Sequence, residues 1–345
     1  MPTPTATLEP LPEGAHVLVV RLSALGDVLF ALEAVAALRA ERPDVRIDFL
    51  VEDRFAGVLA DHPDLTAVRT LPRKGLSARL RGLWALRWGP RYDAVLDVHG
   101  LLKSALPARL VRTRRRIGFA PPLAKEGAHR FYTETVTAPR PTPHRAEQGL
   151  HLLRALGLRG APCPASLALA EPPPELRAQD GPLVVLHPGT SAFAAFKRWP
   201  IERFAVLAER LTAAGFRVAV SFGPGERAMA ESIRTAAPAC LPLDGGALGL
   251  LRLAAAYRAA DVVVAADTGP LHIAAAAGAR VLALFGPKDT NLYGPRDHGA
   301  GHRILFHDVP CRPCRRRRCA SPQCILGLDV DRVEAEVLAM LGERA

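Results

Sequence analysis

Short, unbroken apolar runs recur along this chain, each ending in a polar turn that opens a longer segment with helical spacing. Runs of this kind fit parallel strands buried on both faces, which show no alternation of apolar and polar positions. The first is His16 to Val20, and Ser23-Ala24-Leu25-Gly26-Asp27 turns from it into an amphipathic helix to about Arg39. Strands follow at Val45 to Val51 and Ala94 to Val98, the latter leading into the loop His99-Gly100. Arg116-Ile117-Gly118-Phe119 closes a further apolar edge, and Leu150 to Leu156 reads as a helix. Residues 161–181 then bring five prolines and no periodicity, which places a domain boundary near Glu171 to Gly181. The pattern restarts with strands at Leu183 to Leu186, Phe216 to Phe222, Val262 to Ala266 and Val281 to Phe285. Helices are expected at Ile201 to Ala214, Arg227 to Thr235 and Asp331 to Leu341. This alternation predicts an α/β protein with two Rossmann-like doubly wound domains, residues 14–172 and 181–327, and a final segment 328–345 free to pack back across the boundary.

The richest segment is Asp261 to Asp289. Its first strand ends at Asp267-Thr268-Gly269, where a helix begins; Pro270 suits the first helical position and Gly269 admits a ligand close to the backbone. The free N–H groups of that first turn, with the positive end of the helix dipole, form a phosphate site at the carboxyl end of a parallel strand. Gly286-Pro287-Lys288 repeats the device after the next strand, so two turns are expected to face one crevice. The first βα turn of the chain lacks the GxGxxG fingerprint, which argues against an oxidoreductase. It carries Asp27 instead, a carboxylate that a helix N-terminus holds ionised. That residue reads either as a base or as a first-turn partner of the dipole.

At 345 residues, with 49% hydrophobic and 23% charged positions, the chain is long enough for two cores. No run approaches the ~20 apolar residues of a membrane span, and the first sixteen residues have no signal-peptide pattern, so a cytoplasmic location is expected. The net charge of +11 is local: 13 Lys or Arg lie between Arg69 and Arg116, against Asp93 and Asp97 alone. Such a segment suits nucleic acid, anionic lipid head groups or a phosphorylated glycan, or is simply a solvated arginine-rich surface. Stacking on single-stranded nucleic acid would need aromatics among the cations. Trp84, Trp88 and Tyr92 have a helical spacing that suits a core face better, so nucleic-acid binding stays a remote alternative. Cys311, Cys314, Cys319 and Cys324 are spaced closely enough for four thiolates to hold a structural zinc, and read equally as reduced or redox-labile thiols. Arg312 and Arg315 to Arg318, in the same loop, would lower the thiol pKa with or without metal. Cys163 and Cys240 are isolated and read as packing residues.

Several motifs, in this order, resemble glycosyltransferase family 9, the lipopolysaccharide heptosyltransferase family. They are Ser23-Ala24-Leu25-Gly26-Asp27-Val28, Arg116-Ile117-Gly118-Phe119, His187-Pro188-Gly189 with Lys197-Arg198-Trp199-Pro200, Phe222-Gly223-Pro224-Gly225-Glu226, Asp267-Thr268-Gly269-Pro270-Leu271-His272, and Phe285-Gly286-Pro287. The resemblance implies a GT-B fold whose two domains face a cleft, with the acceptor on the first and a nucleotide sugar on the second. It implies ADP-L-glycero-D-manno-heptose as donor and the inner core of lipopolysaccharide, an anionic lipid-linked glycan, as acceptor. Transfer would be inverting and free of metal and cofactor, with Asp27 as general base and Lys197 as the cation on the leaving diphosphate.

The donor would also meet Thr190, Ser191, Thr268 and Gly269 at its phosphates and Glu226 at its ribose, with Asp267 as a sugar or turn contact. His272 reads equally as a phosphate or sugar contact and as a packed helix residue. Arg73, Lys74 and Arg116, placed on loops, are the expected acceptor residues, while Arg79, Arg81 and Arg87 are expected in solvent. A monomer is expected, in peripheral contact with the inner face of the cytoplasmic membrane. A related GT-B transferase with another nucleotide sugar or acceptor is the alternative.

Overall fold

A computed structural model describes residues 10–139, 141–177, 181–314, 316 and 318–343. The chain forms two compact units that divide between Ala168 and Leu169, inside the proline-rich stretch and just ahead of the expected boundary at Glu171 to Gly181. The first unit runs β1 (His16–Val20), α1 (Leu25–Glu41), β2 (Arg46–Glu52), β3 (Ala67–Leu71), α2 (Leu76–Trp88), β4 (Ala94–Asp97), α3 (Leu102–Leu110), β5 (Arg115–Phe119), β6 (Glu134–Val136) and α4 (Arg145–Leu153). Its six strands are all parallel, in the order β3-β2-β1-β4-β5-β6. The central strands β1 and β4 are wholly buried, as their unbroken apolar runs require. Helix α1 was expected to be amphipathic; instead it is buried from Val28 to Leu38, because α4 covers the face turned away from the sheet.

The second unit opens with α5 (Pro174–Arg177), β7 (Leu183–His187), α6 (Ile201–Ala213), β8 (Arg217–Phe222), α7 (Arg227–Ala236), β9 (Leu241–Asp244), α8 (Gly245–Leu248) and α9 (Leu250–Arg258). It continues with β10 (Val262–Ala266), α10 (Gly269–Ala276), β11 (Val281–Phe285), α11 (Thr290–Tyr293), β12 (Arg303–Phe306), α12 (Gln323–Leu326) and α13 (Val330–Gly342). Its parallel order, β12-β11-β10-β7-β8-β9, repeats the topology of the first sheet. Trp199 is wholly buried here, its indole N–H donating to the Leu328 carbonyl at 2.8 Å. The last helix, α13, packs on the unit that precedes it in the chain, placing Val333, Val337 and Met340 in the same core as Trp199 and Phe204.

In α2 the aromatic spacing misled. Tyr92, just beyond the helix, is buried and donates its hydroxyl proton to Asp48 at 2.7 Å, but Trp84 and Trp88 are exposed. Leu83 and Leu86 take the core side of α2 instead. No helix among the described residues is long and apolar enough to cross a membrane.

Candidate active site

In each sheet one pair of adjacent strands, β1 with β4 and β7 with β10, marks the point where strand order reverses. Doubly wound sheets bind ligands beyond the carboxyl ends of such a pair. The predicted residues fall largely at these two places, one in each unit.

In the first unit, Asp27 sits in the first turn of α1 and accepts from the backbone N–H of Ala24 at 3.4 Å. Its carboxylate meets the buried Arg21 guanidinium at 2.7 Å. Burial alone would raise its pKa, but the charges of Arg21 and Arg145, with the Arg21 hydrogen bond, outweigh that and hold it below the usual carboxylate value. Arg21 also donates to the carbonyls of Ser23 and Val98, which fixes it between the ends of β1 and β4. Beside it the ammonium of Lys103 contacts the Ser23 hydroxyl and lies 3.8 Å from Glu52.

His99 accepts from the Leu22 N–H through Nδ1, and burial, with the cations Arg21, Lys103 and Arg145, pushes its pKa down to about 2. It is neutral at working pH. Asp97 ends β4 wholly buried and accepts from His99 and Gly100 N–H groups, Ser104 Oγ and Tyr132 Oη. Burial raises its pKa despite these donors. Sequence reasoning found Asp27 in this cluster and missed Arg21, Lys103, Arg145 and the role of His99. The available signal was position: Arg21 and His99 each follow a predicted strand, as ligand-facing residues do.

Of the expected acceptor residues, Arg73 and Lys74 lie in the loop between β3 and α2. With Asp53 and Arg54 they line an open cavity of about 380 Å³. Arg116 is not in a loop; it is the second residue of β5, at the amino end of the sheet, opposite Asp27. Its guanidinium donates to the Thr113 carbonyl at 3.1 Å and its buried Nε has no partner. The strand takes it because the buried Ile117 pairs with Leu96 of β4 and the buried Phe119 with Val136 of β6, which sets the register.

In the second unit, Lys197 pairs with Asp267, which ends the segment after β10. His272, one turn into α10, holds the other Asp267 oxygen at 3.6 Å. Burial opposes this charge, but His272 and Lys197 bring the Asp267 pKa down to about 2. Thr268 caps α10 in extended conformation, Gly269 is the first helical residue and Pro270 the second, one position later than expected. Lys197, Asp267, Thr268, Gly269 and His272 are thus brought together at one helix N-terminus.

Thr190 is buried, with its Oγ1 accepting from Arg198 Nε at 3.1 Å, while Ser191 is exposed. Glu226 does not extend freely: its carboxylate accepts from the Gly223 N–H at 2.7 Å and lies 3.8 Å from His187 Nε2. A Cβ on Gly189 would collide with that carboxylate, which gives the His187-Pro188-Gly189 motif a steric reason. The turn Gly286-Pro287-Lys288, expected to repeat the anion device, is covered instead. Arg312 donates to the carbonyls of Gly286 and Lys288, and the Cys314 N–H to that of Pro287.

The residues that cover this turn come from the cysteine loop. Cys311, Cys314, Cys319 and Cys324 line one cavity of about 640 Å³ together with Phe196 and Pro287. Yet no group of three or more His, Cys, Asp or Glu among the described residues is drawn together to hold a metal, as the zinc expectation required. The Cys324 thiol is raised, not lowered: burial and the neighbouring Cys311 and Cys319 outweigh Arg312. Arg315 and Arg317 lie outside the described residues. Cys240 is buried, its thiol pushed up to about 11 by burial, and Cys163 is half-buried.

Two doubly wound units with the same strand order match the α/β GT-B fold. The chain belongs to glycosyltransferase family 9 (heptosyltransferase), whose sequence profile matches residues 85–325. It is 33% identical over 364 aligned positions to lipopolysaccharide heptosyltransferase 1 of Pseudomonas aeruginosa, covering 94% of this chain and 98% of that one. It is similar in fold to E. coli heptosyltransferase WaaC with ADP-2-deoxy-2-fluoro heptose, at TM-score 0.75 and 24% identity over 94% of this chain and 99% of that one. E. coli ADP-heptose lps heptosyltransferase II gives TM-score 0.74 and 20% identity over 96% and 100% of the two chains.

Proposed function

We propose that this enzyme transfers heptose from ADP-L-glycero-D-manno-heptose to the inner core of lipopolysaccharide, with inversion at the anomeric carbon. The observation that carries the reading is the division of charge between the two switch points. A carboxylate is held ionised by Arg21 in the first unit. A lysine and the first turn of α10 meet in the second. The likeness along the whole chain to a lipopolysaccharide heptosyltransferase supports the choice of donor and acceptor.

In this mechanism Asp27 takes the proton of the acceptor hydroxyl as that oxygen attacks the anomeric carbon, and the C–O bond to the diphosphate breaks on the opposite face. The leaving ADP takes the electron pair. Its negative charge is met by Lys197, by the N–H groups of the α10 first turn and by the Thr268 hydroxyl, a set that does the work of a divalent cation. Asp267 holds Lys197 and His272 in place before the donor arrives; Glu226 accepts from the ribose hydroxyls, and Thr190 and Ser191 line the phosphate loop. Arg73 and Lys74, with Lys103 nearer Asp27, bind the acidic acceptor. Arg116, occupied by loop carbonyls at the far end of its strand, supports the sheet. The enzyme would work at the inner face of the cytoplasmic membrane.

Calorimetric titration with ADP, UDP and GDP in EDTA tests the donor side. Selective ADP binding that survives chelation, and weakens by roughly ten- to a hundredfold in Lys197→Ala, is expected for a lost charge-assisted phosphate contact. Preference for UDP or GDP would retain the transferase and move the donor to another nucleotide sugar. Absence of binding by all three would sink the reading.

A further inference from the structure

We infer that the outer face of α2 is a docking surface for an anionic lipid bilayer. Leu76, Leu80, Trp84 and Trp88 recur at every fourth position and run the length of the helix, yet they are 76%, 56%, 65% and 62% exposed. Four large apolar side chains in one line are a contiguous patch, and a patch of that kind marks an interaction surface. The helix does not need them for its own anchorage, because Leu83 and Leu86 already pack against the core of the first unit. The helix α3, which packs beside α2, carries two more exposed leucines, Leu106 and Leu110, 46% and 36% exposed.

The surrounding charge selects the occupant. Arg81 and Arg87 lie exposed on α2, with Arg91 just after it and Arg109 on α3, and no acidic residue lies between Arg69 and Tyr92. The Arg87 guanidinium stands 5.2 Å from the Trp88 ring centroid, and the two indoles are 6.3 Å apart. Tryptophan with arginine at the rim of an aliphatic stripe is the composition of helices that lie in the plane of a bilayer interface. There the indoles take the head-group level and the cations meet anionic lipid. A second copy of the chain is disfavoured, since a two-fold contact through this face would bring the arginines against their own counterparts. Nucleic acid would use the indoles but leaves Leu76 and Leu80 with nothing to stack on.

This surface adds to the reading of the acceptor as a membrane lipid, and its test does not pass through turnover, so either can fail alone. The probe is a vesicle of equal parts phosphatidylethanolamine and phosphatidylglycerol, compared with phosphatidylcholine alone. Trp199 is fully buried, so among the three tryptophans a change in emission on adding vesicles reports Trp84 and Trp88. Binding to the anionic vesicles with a blue shift, weakened by salt and on the order of tenfold or more weaker in the Trp84→Ala/Trp88→Ala and Arg81→Glu/Arg87→Glu variants, is the expected result. Equal circular dichroism and melting of the variants would show that the fold is intact, as exposed positions predict. The inference is overturned by absence of vesicle binding at low salt or by equal binding of wild type and variants. It is also overturned by dimerisation that the Trp variants abolish, or by single-stranded oligonucleotide displacing the vesicles.

Discussion

Asp27 occupies a site whose burial favours the neutral acid, and it is Arg21 and Arg145 that keep it charged. A carboxylate held below its ordinary value is ready at every working pH but is a weak base, since proton transfer is helped most when the base titrates near the operating pH. Its contribution therefore belongs toward the lower end of the usual 10²- to 10⁴-fold range for general bases. Asp27→Asn keeps the size and the Ala24 contact while removing the base. The expected outcome is a fall in kcat of roughly a hundredfold, with ADP affinity unchanged because Lys197 and α10 are untouched. Steady-state kinetics beside the calorimetric titration decide it: a kcat within a few-fold of wild type would return Asp27 to the role of helix-dipole partner. Arg21 differs in kind. It touches Asp27, Ser23 and Val98 from a fully buried position, so it positions the base, and its loss would disturb the ends of both β1 and β4.

Among the elements, β1, β10 and β11 fall on the residues their apolar runs predicted, because a central parallel strand is buried on both faces and shows itself as an unbroken run. The edge strands β3, β6 and β12 were not legible: half-buried, with Arg69, Glu134 and Arg303 in their length, they look like loop. Helix α2 was misread because it is apolar on two faces, and the sequence alone does not say which of them meets the core. For the site, the motif-bearing residues Asp27, Lys197, Asp267 and Thr268 were legible. Lys103 and Arg145 were not, because only the pairing of β1 with β4 brings α3 near Asp27 and only the packing of α4 on α1 brings Arg145 there. The Arg116-Ile117-Gly118-Phe119 motif gains a local cause here. A Cβ on Gly118 would enter the ring of Tyr132, which is held by its hydrogen bond to Asp97 at 2.8 Å. Since that ring cannot retreat without losing a buried partner, Gly118→Ala is expected to destabilise the first unit by about 1–3 kcal/mol. Chemical denaturation checks it, and an unchanged midpoint would show that Tyr132 has room to move.

At the scale of the whole molecule, the two units repeat one topology, and each buries a histidine in or just after a central strand. His99 in the first is pushed down to about 2, and His187 in the second to about 4 by burial, partly offset by the Glu226 charge. Burial favours the neutral ring of both in the folded chain, and His187 Nδ1 lies against Ser221 Oγ at 3.0 Å. Between the ordinary histidine value, near 6.5, and these depressed ones, the unfolded chain binds protons that the folded chain refuses. Stability therefore rises with pH in that window and is lost as pH falls from about 6.5 toward 4, by up to about 1.4 kcal/mol per pH unit for each such histidine. The depressed carboxylates Asp27 and Asp267 act in a separate, lower window, below their ordinary value of 3.8, where protonation removes their ion pairs. His187→Asn isolates one term: it lowers stability at every pH by disturbing a buried site, but it also flattens the dependence between pH 6.5 and 4. Denaturant titration of wild type and variant at a series of pH values in that window reads the difference in slope, which the disturbance itself does not change. A variant whose stability falls as steeply with acid as the wild type would mean that His187 is already protonated in the folded enzyme. Its pairing with Glu226 would then be an ion pair rather than the contact of a neutral ring.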